Sequence, residues 1–371
     1  MPPTSPAATE DARPDAAPAL RLLGVPVTVT LRAEHLAQVA AQLGVFLYTA
    51  LYWPPAAALL PRLAALTLFG FAADFALSAQ RYGSWRLGVG PVPVVLSANL
   101  FVWFTGPHVW LHYAVVLVGL AAKHHAQREG RHVFNPSAIG VAAVGAFALF
   151  IPGRLGALDI SPWLGATPNA LEVTLLLSLV PLSRARVALI PLAAAAATAA
   201  LLALLPALLP SRADVPVFVA APIYIGVALL ATDPATTPRR PVAQLAFGAA
   251  YITLFAILSS LLGAEGRFWG KVLPIPLLNL LAPRLDAWAA TLPSPRALDA
   301  RHDRLHLGLW VAVVVAAALA TPVKARLFTE MSPRVRDLRH LRPAAGGEPC
   351  AANPAFCRPF SFAAEAALWG R

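Results

Sequence analysis

The side chains of this chain that have chemistry to offer are few and fall mainly at three junctions. The first runs from Lys123-His124-His125 to Gly140 and contains Asn135-Pro136. Pro is tolerated at the first helical position and Asn caps freed amide groups, so this pair signals a turn and a helix start. The two histidines are adjacent, which on a helix points them in different directions; they make a poor metal site and suit a solvated helix end. The second junction is Ala231 to Arg240, with Thr232, Asp233 and Pro234 at its head. A carboxylate in apolar surroundings is costly unless it caps a helix, pairs with an Arg, or serves a ligand or proton path. Thr236 and Thr237 are further capping candidates, and Pro234 and Pro238 fix the loop that holds these polar groups. The third junction, Leu164 to Asn169, carries the Thr167 hydroxyl just before Pro168, in a turn whose threonine is biased to extended backbone.

Soluble-enzyme chemistry finds no support. There is no Gly-rich phosphate loop ending in lysine, no zinc spacing of paired Cys or His, and no Gly-x-Ser-x-Gly elbow, so no metal site is expected. The two cysteines, Cys350 and Cys357, enclose six residues including Asn353 and Pro354. They are either a small disulfide loop of an oxidising compartment or two free thiols. Without a C-x-x-C-H pattern, covalent haem is unsupported.

The elements that must position these junctions follow from composition. The chain is 58% hydrophobic and 13% charged, with a mean hydropathy of +0.65. Apolar runs of roughly 17 to 25 residues recur along it, as repeated bilayer spans require. The runs predict spans at 36–53, 55–78, 88–105, 107–122, 136–152, 170–183, 187–209, 215–231, 243–263, 269–287 and 305–322. This is an all-α polytopic membrane protein of about ten or eleven helices. The run at 88–105 contains Pro91 and Pro93, which suggests an irregular entry.

The net charge of +11 is explained by orientation rather than by a nucleic-acid partner. Basic residues alternate between loops: Arg81 and Arg86, then Lys123, Arg128 and Arg131, then Arg184 and Arg186, then Arg239 and Arg240, then Arg284, Arg296, Arg301 and Arg304. The intervening loops hold little beyond Arg154, Arg212, Arg267 and Lys271. By the positive-inside rule the amino terminus is cytoplasmic. The chain divides into a disordered cytoplasmic leader (1–35), a transmembrane core (36–290), a linker and extra transmembrane helix (291–323), and a basic tail (324–371). Polar side chains deep in the spans are scarce; Asp74, Asn99, Glu172 and Asn279 are the candidates for ion coupling.

Four ordered landmarks give a resemblance: Phe134-Asn135-Pro136-Ser137 to Gly140, Gly165-Ala166-Thr167-Pro168, Thr232-Asp233-Pro234 to Pro238, and Leu277-Leu278-Asn279-Leu280-Leu281-Ala282-Pro283 to Asp286. Across roughly residues 80–290 they resemble the NqrB/RnfD family, membrane subunits of flavin-containing, ion-translocating electron-transport complexes. The wording around Asn135 is similar to the RnfD-like branch labelled enediyne biosynthesis protein (UnbU-like). The resemblance implies a core of two inverted five-helix repeats similar to urea transporters, with broken helices meeting at a shared site. It implies an inner-membrane, multi-pass subunit of an oxidoreductase or translocase complex, working with other membrane or peripheral redox subunits, with or without coupled ion transport. It implies FMN linked through a phosphoester to Thr167, flanked by Gly165 and Ala166, while Asn135, Pro136, Thr232, Asp233, Pro234 and Asn279 shape the interior. The attachment motif departs from the family at two positions: Ser161 stands where its acid is expected and Leu164 where its hydroxyl is expected, and the nearest acid, Asp159, is displaced by two residues. A non-covalent flavin, a quinone or no redox group remain alternatives. So do two other functions, a solute channel of the same fold and a membrane anchor for redox partners.

Overall fold

Proline opens four of the helices, at positions where its missing amide costs nothing. The computed structural model describes residues 21–22, 24–52, 56–57, 59–104, 108–150, 157–159, 170–208, 226–293 and 295–320. Among them the fold is mostly helical. In chain order the helices are α1 (Ala33–Tyr52), α2 (Leu60–Tyr82), α3 (Pro91–Phe101), α4 (Leu111–His125) and α5 (Pro136–Phe150). After these come α6 (Ala170–Ala185), α7 (Leu189–Leu208), α8 (Pro241–Trp269), α9 (Pro274–Ala290) and α10 (Asp303–Ala320). Nine of the eleven expected spans each overlap one of these helices along most of their length, and a tenth, 88–105, holds the shorter α3. Of the eleventh, 215–231, only the last residues are described, and they end in one helical turn at 226–229.

Among the described residues two helices are long and apolar enough to cross a membrane, α2 and the part of α8 that ends at Leu261. The run expected to end at 263 continues as helix to Trp269, so the loop expected at 264–268 is instead the last turns of α8. The chain then reverses within Gly270 to Leu273, ahead of Pro274.

The expected span 88–105 is not one helix. Helix α3 has 11 residues, about 16 Å at 1.5 Å per residue, roughly half of a ~30 Å hydrocarbon layer. It gives way to an extended strand, β4 (Val102–Phe104), all three residues of which are buried. This strand pairs antiparallel with β7 (Ala157–Asp159) in the register Val102↔Asp159, Trp103↔Leu158, Phe104↔Ala157. Buried Arg62 of α2 donates to the Phe104 carbonyl at 3.0 Å, so backbone freed by the break is satisfied from a neighbouring helix.

Other short strands lie at the opposite end of the helices. The segment expected as the last part of the leader contributes β1 (Arg21–Leu22) and β2 (Val25–Val29), which pair antiparallel with each other. Strand β2 also runs parallel to β3 (Trp85–Leu87). Strands β5 (Gln127–Arg128) and β6 (Arg131–His132) form a tight hairpin. Glu129 and Gly130 at its tip have φ of 52° and 75°, the left-handed pair a two-residue turn demands.

The helices pack as α1 on α6, α2 on α4, α4 on α5, α7 on α8 and α8 on α9. The α4–α5 crossing is close: a Cβ on Gly140 would lie 2.2 Å from the Val115 carbonyl oxygen, and one on Gly119 2.3 Å from that of Pro136. Only glycine permits that approach. Polar residues turn inward, among them Gln42, Asp74, Asn99, His112, His124 and Asn279, while Leu68, Leu176 and Leu261 are 71%, 66% and 76% exposed.

Candidate functional site

Three of the four landmarks meet at one place. The β5–β6 hairpin delivers the chain to Asn135, whose side chain caps α5: its Oδ1 accepts the Ala138 amide at 3.0 Å and the Ser137 hydroxyl at 2.8 Å. Its Nδ2 donates to the Leu230 carbonyl at 2.8 Å. Its backbone amide donates to Asn279 Oδ1 at 3.0 Å, and Asn279 Nδ2 donates in turn to the Thr236 carbonyl at 3.2 Å. Asn135 and Asn279 therefore stitch together the start of α5, the 230–237 turn and the middle of α9. Pro136 supplies the first residue of α5. Both asparagines are buried, at 7% and 2% exposure, where an unmade bond would cost the full desolvation of its partner.

Asp233 departs from the expected pairing with Arg or capping of the following helix. Its Oδ2 bonds His132 Nε2 at 2.9 Å, and its Oδ1 accepts the Ala235 amide at 3.0 Å. Its backbone carbonyl accepts the Thr236 and Thr237 amides, both at 3.1 Å, and the Thr237 hydroxyl at 2.9 Å. Thr232 donates its hydroxyl back to Ala228, and Pro234 offers its carbonyl to Arg131 Nη2 at 2.9 Å. Burial pushes the Asp233 carboxyl up, but the charge and hydrogen bond of His132, with the Ala235 amide, outweigh it and hold the group below the usual carboxylate range. Burial and the neighbouring Arg239 guanidinium lower Arg131.

The cap of α8 comes from elsewhere. The Asp286 carboxylate, at the end of the fourth landmark, accepts the Arg239 amide at 3.0 Å and the Arg240 amide at 2.8 Å. An anion there complements the helix dipole. Gln244, one turn into α8, donates to the carbonyls of Arg186 and Pro238 at 3.3 and 3.2 Å.

The remaining expected positions separate. Asp74 of α2 accepts Lys123 Nζ at 2.9 Å and His124 Nε2 at 2.7 Å on one oxygen. His124 is therefore a buried ion-pair partner rather than a solvated helix end, while His125 is exposed. Asn99 donates to Val95 within α3 at 2.9 Å and does not join the Asn279 junction. Glu172 is exposed in the first turn of α6 and is not deep in the fold. Gly165, Ala166 and Thr167 lie outside the described residues, as do Ser161, Leu164 and both cysteines. Among the described residues no cluster of His, Cys, Asp and Glu suits a metal ion.

Sequence reasoning missed His132, Lys123 and Gln244 as partners. The Glu129-Gly130 pair was the one local signal that could have shown the hairpin that aims His132 at Asp233. The site is thus a hydrogen-bonded junction of helix ends in a mostly helical fold, in which two helices among the described residues have the length and apolarity to cross a membrane. No protein-family model matches the chain, and no curated protein matches it.

Proposed function

We propose that this is a multi-pass inner-membrane protein with a cytoplasmic amino terminus, built on an RnfD-like core, and that it serves as a subunit of a membrane electron-transport system. The observation that carries the membrane part is the inverted distribution of polarity. Gln42, Asp74, Asn99 and Asn279 are buried between helices whose outer faces carry exposed leucines on α2, α6 and α8. In water that arrangement would expose contiguous apolar surface; in lipid it is the expected one.

Two further observations support the repeat architecture. If α1 to α5 form one unit and the stretch from α6 to α9 the other, the packing pattern recurs. Counting the expected 215–231 run, described as helix only at 226–229, as the third element of the second unit, second packs on fourth in α2–α4 and α7–α8, fourth on fifth in α4–α5 and α8–α9, and first on first in α1–α6. The third element of the first unit is the short α3 with its extended continuation, the discontinuous form that such transport folds place around a site. In this reading Asn135, Pro136, Thr232, Asp233, Pro234 and Asn279 hold the architecture of the cytoplasmic end and carry no redox step.

The residues around Thr167 meet the FMN attachment pattern in part. Thr167 supplies the hydroxyl, but Ser161 and Leu164 replace the acid and the hydroxyl beside it. The donor set does not fit the full motif, and no step is derived through the flavin. The mass of the Thr167 peptide, with or without one covalently added FMN, decides the cofactor assignment. A peptide at its unmodified mass, from protein showing no flavin fluorescence on a denaturing gel, would sink covalent FMN. If the purified protein also holds no non-covalent flavin or quinone, the reading moves to a solute channel of the same fold.

A further inference from the structure

At the end of the molecule where Asp233 lies, a cavity of about 400 Å³ opens between the β5–β6 hairpin, the α6–α7 turn, the 234–241 loop and the start of α10. Arg131, Arg186 and Arg239 line it, with His306, Gln244 and a single carboxylate, Asp303. The acids that would otherwise neutralise the arginines are engaged: Asp233 by His132, and Asp286 by the amides ahead of α8. None of the ion pairs among the described residues includes Arg131, Arg186 or Arg239. Three arginines from three separate stretches therefore line one space beside a single lining carboxylate, and the Arg131 guanidinium also donates to the Pro234 carbonyl at its edge.

Arg186 adds an independent observation. It sits just past α6 with φ of 54°, and the Val187 amide reaches back to the Leu182 carbonyl at 3.4 Å. This is the left-handed helix stop at which glycine is the usual residue. An arginine there bears backbone strain that its backbone role does not require. Its carbonyl is held by Gln244, so the backbone that carries Arg186 is held at the cavity wall.

We infer that this cavity binds a phosphate group, gripped by Arg131, Arg186 and Arg239. Guanidinium forks match phosphate oxygens in geometry as well as charge, and a cavity of this size holds a phosphate with a small attached group. The group comes either from a soluble phosphate compound or from the headgroup of an anionic phospholipid at the membrane surface. The inference does not depend on whether Thr167 carries a flavin.

The test uses the full chain, delipidated in neutral detergent, with three probes: inorganic phosphate, dioctanoyl phosphatidylglycerol and dioctanoyl phosphatidylcholine. Saturable binding of phosphate, of the glycerol lipid, or of both in competition is expected, with phosphatidylcholine weaker than phosphatidylglycerol. Phosphate alone identifies the soluble source, and lipid alone the membrane source. Arg186→Gly and Arg239→Gln should each weaken binding about tenfold, the loss of one charge-assisted contact. Asp303→Asn should tighten it, and Arg301→Gln, whose guanidinium pairs with Asp299 outside the cavity, should leave it unchanged. Because Arg186→Gly restores the preferred residue at a left-handed position, its thermal unfolding should not fall below that of the parent, which separates lost binding from lost folding. Absence of saturable binding by both anionic probes, saturable binding of the two lipids with equal affinity, or parent-like affinity in both arginine variants would overturn the inference.

Discussion

Replacing Asn135 tests whether the junction is held by the bonds described, because its side chain does two separable things. The Oδ1 atom caps α5 through the Ala138 amide, and Nδ2 satisfies the buried Leu230 carbonyl. In Asn135→Ser a hydroxyl can still cap, so the main loss is the donor to Leu230, which is 1% exposed; that costs about 1–3 kcal/mol. Asn135→Ala loses the cap as well, about 1 kcal/mol more, for a total of roughly 2–4 kcal/mol. Asn279→Leu removes the acceptor of the Asn135 amide and the donor to Thr236, and about 2–4 kcal/mol is expected there too. Since both residues hold the same junction, the double variant Asn135→Ala, Asn279→Leu should lose less than the sum of its parts. The assay is reversible unfolding of the purified full chain in mixed micelles. Equal losses in the serine and alanine variants would refute the capping role. Strict additivity in the double variant would refute a shared junction.

Asp233→Asn should cost about 1–2 kcal/mol near neutral pH, since a charge-assisted bond to His132 is lost at a partly exposed site. The folded carboxyl lies below its ordinary value of 3.8, so its stabilisation is full above that value and lost as pH falls through the lower folded one. The gap between parent and variant should therefore close only in acid below about pH 4; a gap that persists unchanged to the acid unfolding limit would exclude the linkage. Gly140→Ala places a Cβ 2.2 Å from a backbone oxygen of α4 and should destabilise by about 1–3 kcal/mol through forced separation of the helices. Gly308→Ala, with open space around it, should stabilise by up to about 1 kcal/mol, and matching losses at both glycines would argue against the close crossing.

Helices were legible as apolar runs, most closely where the run began on a proline, as at Pro136; the run placed from 269 instead starts as helix at Pro274. The break after Phe101 was not. Val102-Trp103-Phe104 is as apolar as the helix before it, and what makes it a strand is Ala157–Asp159, far along the chain. The grouping of Asn135, Asp233 and Asn279 was anticipated as an order of landmarks, but their partners were not. Asn135 meets Asn279 across 144 positions and His132 meets Asp233 across 101, and no local pattern encodes such contacts. Asp233 illustrates the cost: the sequence left helix capping, an Arg partner, or a ligand or proton path open for it, yet Asp286 caps the following helix and His132 takes the carboxylate.

The pairing of β4 with β7 also bears on how the protein is made. The hydrogen-bonding partners of Val102 to Phe104 are encoded 53 to 57 residues downstream, so at about 5–20 residues per second the ribosome needs about 3 to 11 s to deliver them. During that interval α3 ends in extended backbone with its ladder unmade. A nascent chain arrested at residue 156 should be cleaved by protease within 102–104, while one extended well past 159 should be protected; equal protection would show that β4 closes without β7. On the proposed membrane reading, the third helical segment is left unfinished by its own translation until after the fifth helix has been made, and the insertion machinery must shelter it for that time.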